Sequence, residues 1–170
     1  MAKLKPKSPS ASNATFTHLV LPSDTNVLGG AFGGRVMEWI DKAAAIVAQR
    51  HCRRIAVTAS MDSLHFISPI KLGDVVILQA TVNYTHHTSL EVGVRVTAEN
   101  PLTGERRHTA SSYLTFVAID ENGRPTPIPT LLCRTKNEKR RFKEAETRRQ
   151  ERLRWKRIKE KNLASYGKKN

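Results

Sequence analysis

The stretch SDTNVLGGAFGGRVMEWIDKAAAIVAQRH, Ser23 to His51, joins a polar glycine-rich loop directly to an apolar helix. Val36, Ile40, Ala43, Ala44 and Val47 recur at helical spacing, and Met37, Trp39 and Ile46 widen the apolar surface. That pattern predicts a helix from about Phe32 to His51, covered on most of its sides. Glu38 and Lys42 form an i,i+4 pair within it, and Arg50 and His51 suit the negative end of its dipole. One carboxylate, Asp41, stands where alanine or leucine would pack better.

Working outward, Thr15–Pro22 (TFTHLVLP) reads as a short strand before the helix, and four strand candidates follow it. They are Arg54–Ile67, Asp74–Thr85, Thr88–Ala98 and Arg106–Asp120. In the third, Leu90, Val92, Val94 and Val96 alternate with polar or small residues, which predicts one buried face. The short links, including the turn NPLTGE (Asn100–Glu105), predict antiparallel pairing of strands that meander. The order is therefore strand, long helix, four strands. It is an α+β pattern in which a curled sheet buries a single central helix.

The chain has 170 residues and a net charge of +14, a balance that first suggests nucleic acid. The charge belongs to the ends. Residues 1–14 carry three lysines and no acid, and residues 134–170 carry 16 basic against 5 acidic residues. The span Thr15–Cys133 is neutral, with 10 of each sign. Residues 1–14 read as a disordered basic tail with no apolar signal region, 15–133 as the folded domain, and 134–170 as a basic helical extension. No run of eighteen apolar residues marks a membrane span. Cys52 and Cys133 lack metal or redox spacing, and read as reduced cytosolic thiols.

GGAFGG (Gly29–Gly34) lacks the lysine and hydroxyl of a P-loop and does not match the dinucleotide fingerprint. Gly33 and Gly34 would instead bring free backbone N–H groups to the start of the helix, where they stabilise an oxyanion or merely make a turn. Asp41 has apolar neighbours in Trp39, Ile40, Ala43 and Ala44, with Glu38 one turn earlier. It is a candidate base, against the plain reading of a solvated helix carboxylate. Asp62 is the rival carboxylate, and a hydrogen-bonded strand residue is its simpler reading. His86 and His87 fall in a turn with no third metal ligand at suitable spacing. No serine or cysteine occupies a nucleophile motif.

Taken in order, PSDTNVLGGAFGGRVMEWIDKAAAIVAQRH, VTASMDSLHFISPIKLGDVV, TSLEVGVRVTAEN and SYLTFVAIDENGRPTPIP resemble the hotdog-fold acyl-CoA thioesterases of the cytosolic acyl-CoA hydrolase group. The resemblance covers about Thr15 to Pro129. It implies a long helix wrapped by a five-stranded antiparallel sheet, with protomers paired edge to edge and commonly built into a trimer of dimers. It also implies hydrolysis of acyl-CoA to fatty acid and coenzyme A in the cytoplasm, without a metal or redox cofactor. The family's helix carboxylate falls on Asp41 as base or nucleophile, its loop asparagine on Asn26, and the glycine that polarises the carbonyl on Gly33. Gly34, Thr88 and Ser89 would line the substrate path. Two departures stand out. THHTS replaces the glycine and basic residue before the TS turn, and Lys42 replaces the hydroxyl residue that some relatives carry after the carboxylate.

Gly33 and Asp41 are eight residues apart, about 12 Å along one helix, too far to serve one carbonyl from a single chain. A site shared between antiparallel helices of two subunits removes the difficulty. Three other readings remain: an acyl-carrier-protein thioesterase, a non-catalytic acyl-CoA-binding regulator, and non-specific nucleic-acid binding through the tail. The tail itself reads as a solvated helix, or as a donor of arginines to the coenzyme A phosphates.

Overall fold

The computed structural model describes residues 4–166, with side chains described through 162. Its elements are β1 (Ala14–Leu19), α1 (Gly33–Cys52), β2 (Ile55–Met61), β3 (Val75–Thr85), β4 (Ser89–Glu99), β5 (Arg106–Ile119) and α2 (Lys136–Tyr166). The five strands make one antiparallel sheet in the order β1-β3-β4-β5-β2. The chain divides into two units at Leu132, with α2 in the second. No helix among the described residues is long and apolar enough to cross a membrane.

Helix α1 lies against the inward face of the sheet. Val36, Ile40, Ala44, Val47 and Ala48 are 0–1% exposed and meet Leu78, Val82, Leu90, Val92, Leu114 and Phe116 in one apolar core. Each large side chain buried there is worth about 1.5–3 kcal/mol. Met37 and Ile46 stay outside at 44% and 39% exposure, so the helix is covered on one broad face and not on most of its sides.

Three expectations need correction. Only β3, β4 and β5 meander; β2 crosses to the far edge beside β5, because α1 delivers the chain to that side of the sheet. The strand expected over Arg54–Ile67 stops at Met61; beyond it the chain is irregular, with His65, Phe66 and Ile67 exposed and the Asp62 and Ile67 amides still on β5 carbonyls. Strand β4 has more than one buried face. Glu91 is 1% exposed and accepts a hydrogen bond from Asn83 Nδ2 at 3.4 Å, while the Asn83 side chain fills the space a Cβ on Gly93 would need.

The amino-terminal segment, expected to be disordered, is docked from Lys7 onward; residues 1–3 lie outside the described part. Lys7 N donates to Thr130 O at 3.0 Å and Leu132 N to Lys7 O at 2.8 Å, a short parallel pairing of the two ends of the domain. Lys7 Nζ donates to His51 O at 2.6 Å and so caps the carboxyl end of α1. His51 itself is fully buried, with Nε2 on Pro129 O at 3.0 Å and Nδ1 facing Ser12 Oγ at 3.4 Å. Both cysteines are free, and burial pushes the Cys52 thiol up to about 11.

Candidate active site

The glycine-rich loop is a tied turn. Asn26 N donates to Gly30 O and Gly29 N to Asn26 O, with Gly29 at φ +76°, a conformation that favours glycine. Asn26 Oδ1 accepts from Leu28 N at 2.9 Å and Gly30 N at 3.3 Å. Those two amide donors fix which way the side-chain amide points. Its Nδ2 is left facing outward, without a hydrogen bond among the described residues. At the tip of the turn Val27 and Leu28 are 101% and 90% exposed.

The turn is fastened to the start of α1. Phe32 N donates to Asp24 O at 2.7 Å, and the Arg35 guanidinium pairs with Asp24 at 3.2 Å. Phe32 is the N-cap and has no side-chain capping bond, so no capping side chain occupies the first amides of the helix, those of Gly33 and Gly34. The Phe66 ring lies 3.7 Å from where a Cβ on Gly33 would stand, which walls one side of the approach. A helix N-terminus with open amides favours negative charge on an approaching oxygen.

Two helical turns on, Asp41 is half-buried and accepts a hydrogen bond from Thr58 Oγ1 at 2.8 Å. Thr58 pairs with Phe116 on β5, and Ala59 is an extra residue in the ladder before Ser60 resumes pairing with Thr115. A bulge of this kind re-aims the side chains beside it. The bond holds Oδ1, while Oδ2 has no hydrogen bond or ion pair among the described residues. Glu38, the like charge noticed in the sequence, is neutralised by Arg35 at 2.7 Å and Lys42 at 2.5 Å. Their hydrogen bonds, Lys42 first, hold its carboxyl below the ordinary value.

Of the expected site residues, one chain thus gathers Asn26, Gly33 and Gly34 at the start of α1 and places Asp41 about 12 Å further along it. Thr88 and Ser89 lie at the β3–β4 hairpin. Thr88 O accepts from Ala118 N, and Ser89 pairs with Val117, which in turn pairs with Val57 on β2. Asp62, the rival carboxylate, sits one residue beyond β2 with its amide on Tyr113 O at 2.9 Å. His86 and His87 stack edge to face at the exposed hairpin. Among the described residues no group of three or more His, Cys, Asp or Glu is placed to hold a metal ion.

The profile of the thioesterase superfamily matches residues 28–105. The acyl-CoA thioester hydrolase YkhA of Bacillus subtilis is 47% identical over 127 residues, covering 75% of this chain and 74% of that protein. The chain belongs to the acyl-CoA thioester hydrolases. The human cytosolic acyl coenzyme A thioester hydrolase is 36% identical over 146 residues, and the chain spans only 38% of its length. Among solved structures, an apo-hexameric acyl-CoA thioesterase superposes with a TM-score of 0.86 at 44% identity, covering 89% of this chain and 97% of that one. The acyl-CoA hydrolase of Staphylococcus aureus, solved with butyryl coenzyme A, gives 0.85 at 38% identity over 94% and 97%. The sheet wrapped on α1 is the hotdog fold of these thioesterases.

Thr58, which donates to the candidate carboxylate Asp41, is a residue that the sequence reading missed. Its signal was present in VTAS: a hydroxyl on the strand that follows the helix, at a position facing back toward it. Lys42, the departure noted after the carboxylate, leaves that position without a hydroxyl, and the structure supplies one from β2 instead.

Proposed function

We propose that this chain releases fatty acid and coenzyme A from acyl-CoA at a site built from Asp41, Thr58, Asn26 and Gly33. The observation that carries the reading is the Asp41–Thr58 hydrogen bond, which anchors one carboxylate oxygen and leaves the other open two turns along the helix that starts at the glycine pair. Asp41 Oδ2 takes the proton of a water whose oxygen attacks the thioester carbonyl, or attacks that carbon itself. The carbonyl oxygen becomes an oxyanion beside the Gly33 N–H, with Asn26 Nδ2 as a second donor. The carbon–sulfur bond then breaks and the coenzyme A thiolate takes up the proton that Asp41 holds. Where Asp41 attacks the carbon itself, water then hydrolyses the acyl-aspartyl anhydride, frees the fatty acid and the carboxylate, and supplies the thiolate's proton. No metal or redox cofactor enters these steps, and Gly34, Thr88 and Ser89 flank the substrate.

Spacing supports the set of residues. The Staphylococcus aureus hydrolase has been solved as alanine variants of an asparagine, an aspartate and a threonine separated by 15 and 17 residues. Asn26, Asp41 and Thr58 have the same separations. Because Gly33 and Asp41 sit at different levels of α1, with Asn26 in the turn before its start, a complete site takes Asn26 and Gly33 from one subunit and Asp41 from its neighbour. The fully exposed Val27 and Leu28 beside Asn26 are a surface that a second copy covers. The hexameric relatives support a homo-oligomer of at least dimers, and the cytosolic relative supports a cytoplasmic location.

Thiol release from a series of saturated acyl-CoA esters tests the reading. Wild type should turn over, and Asp41→Ala should lower kcat by roughly 10²-fold with the oligomer intact, the scale of a lost acid–base group. Asp62→Asn should have a much smaller effect. A larger loss at Asp62 without destabilisation would move the carboxylate assignment there.

A further inference from the structure

Helix α1 ends on a residue poorly suited to its backbone. Arg53 takes the left-handed conformation at φ +54° and ψ +34°, with its N–H on Gln49 O at 2.7 Å. It is the one non-glycine residue with positive φ among the described residues. Glycine or asparagine is the usual occupant of such a helix end, because a larger side chain crowds the carbonyl. An arginine kept there at conformational cost invites a functional explanation.

Its surroundings add charge without compensation. Arg54 follows and Arg50 lies a turn before, all three exposed. No carboxylate pairs with Arg50, Arg53 or Arg54 among the described residues. Lys7 stands beside them with its ammonium held on the helix-end carbonyls of Arg50 and His51. Burial first, and then the Arg53 charge, holds Lys7 below the ordinary lysine value. Cations crowded in this way attract an anion.

The place of the pair is as informative as its charge. Arg53 and Arg54 form the turn between α1 and β2, the two elements that carry Asp41 and Thr58. Twelve residues of helix separate Arg53 from Asp41, about 18 Å. Four residues of strand separate Arg54 from Thr58, about 13 Å. In coenzyme A, about thirteen bonds join the thioester sulfur to the first phosphorus, and an extended peptide of that many bonds spans about 15 Å. Thr88 and Ser89 fall at intermediate levels, beside Ala56 and Val57 in the register of β2 and β5.

We infer that Arg53 and Arg54 form the phosphate-binding end of the substrate site and grip the pyrophosphate or 3′-phosphate of coenzyme A. The inference rests on the hydrolase reading above. It is tested by steady-state kinetics with two donors, acyl-CoA and the phosphate-free acyl-pantetheine, on wild type, Arg53→Gly and Arg54→Gln. Glycine suits the left-handed position, so Arg53→Gly should keep or raise the Tm and cannot lose activity by unfolding.

Both variants should raise the KM for acyl-CoA about tenfold, the scale of one charge-assisted hydrogen bond, with little change in kcat. That rise should shrink as salt increases, and the KM for acyl-pantetheine should stay at its wild-type value. Arg106→Gln, which removes the exposed partner of Glu99 at the β4–β5 turn, serves as the control for lost surface charge. Variants with the wild-type KM for acyl-CoA, or with equal rises for both donors, overturn the phosphate assignment alone. A wild-type chain that cleaves neither donor removes the hydrolase reading and this assignment together.

Discussion

At the scale of single residues, the proposed site depends on one bond between side chains from consecutive elements. Thr58 Oγ1 donates to Asp41 Oδ1 and thereby sets the direction of Oδ2. Thr58→Val removes the donor while keeping the shape of the strand. It should lower kcat about tenfold, the value of one hydrogen bond to a charged group, and leave the KM for acyl-CoA nearly unchanged. Thr58→Ser should restore most of the rate. A wild-type rate in Thr58→Val with a loss in Thr58→Ser would show that the methyl group, and not the hydroxyl, is what matters. Asp41 was legible in the sequence because a carboxylate breaks an otherwise apolar helix. Thr58 was not, because a hydroxyl alternating along a strand looks like solvent-facing surface until the helix is seen beneath it.

At the scale of elements, the carboxyl end of α1 is held by a buried polar knot. His51 is fully buried between Ser12 and Pro129, and burial, followed by the nearby Lys7 charge, lowers its pKa below the ordinary 6.5. A histidine lowered on folding binds its proton more readily in the unfolded chain. The neutral form therefore contributes stability that is complete above pH 6.5 and is lost as pH falls through the lower folded value. Urea unfolding at fixed protein concentration should show this loss between pH 7.5 and 5. His51→Gln should be less stable at pH 7.5 and should lack that part of the pH slope. A variant with the wild-type slope would place the titration elsewhere.

Long periodic elements were legible from sequence nearly to the residue. Helix α1 was expected over Phe32–His51 and runs Gly33–Cys52, and the helical extension expected within 134–170 holds α2 from Lys136. Their period repeats over several turns, so small errors do not accumulate. What could not be read was non-local. The position of β2 beside β5 and the docking of Lys7 on residues 130–132 both depend on chain partners far away in sequence. The charge count misled in one respect: it assigned residues 1–14 to a tail, although Ser12 is buried and Lys7 caps a helix.

At the scale of the whole molecule, the separation between Gly33 and Asp41 along α1 makes assembly part of the proposed chemistry. Strand β2 is an edge of the sheet, with Ile55 and Val57 62% and 43% exposed, and an open apolar edge favours pairing with another copy. Asp41→Ala and Asn26→Ala protomers should each be nearly inactive. Unfolded together and refolded, they should recover a part of the wild-type rate, because some mixed dimers hold one intact site. Thiol release from the mixture, compared with each variant refolded alone, is the measurement. A mixture no more active than its components, with refolded wild type active, would show that each subunit carries a complete site.

The pairing of Lys7 with Thr130 and Leu132 has a consequence for how such a chain can be rearranged. Lys7 and the last residues of the sheet domain lie at the same corner, hydrogen-bonded to each other. A short linker could join them without bending a strand, and new termini could open at the exposed Pro101–Gly104 turn, so circular permutation would leave both α1 and its carboxylate in place. By the same geometry, a second domain could be spliced in tandem at that corner without pulling on the sheet.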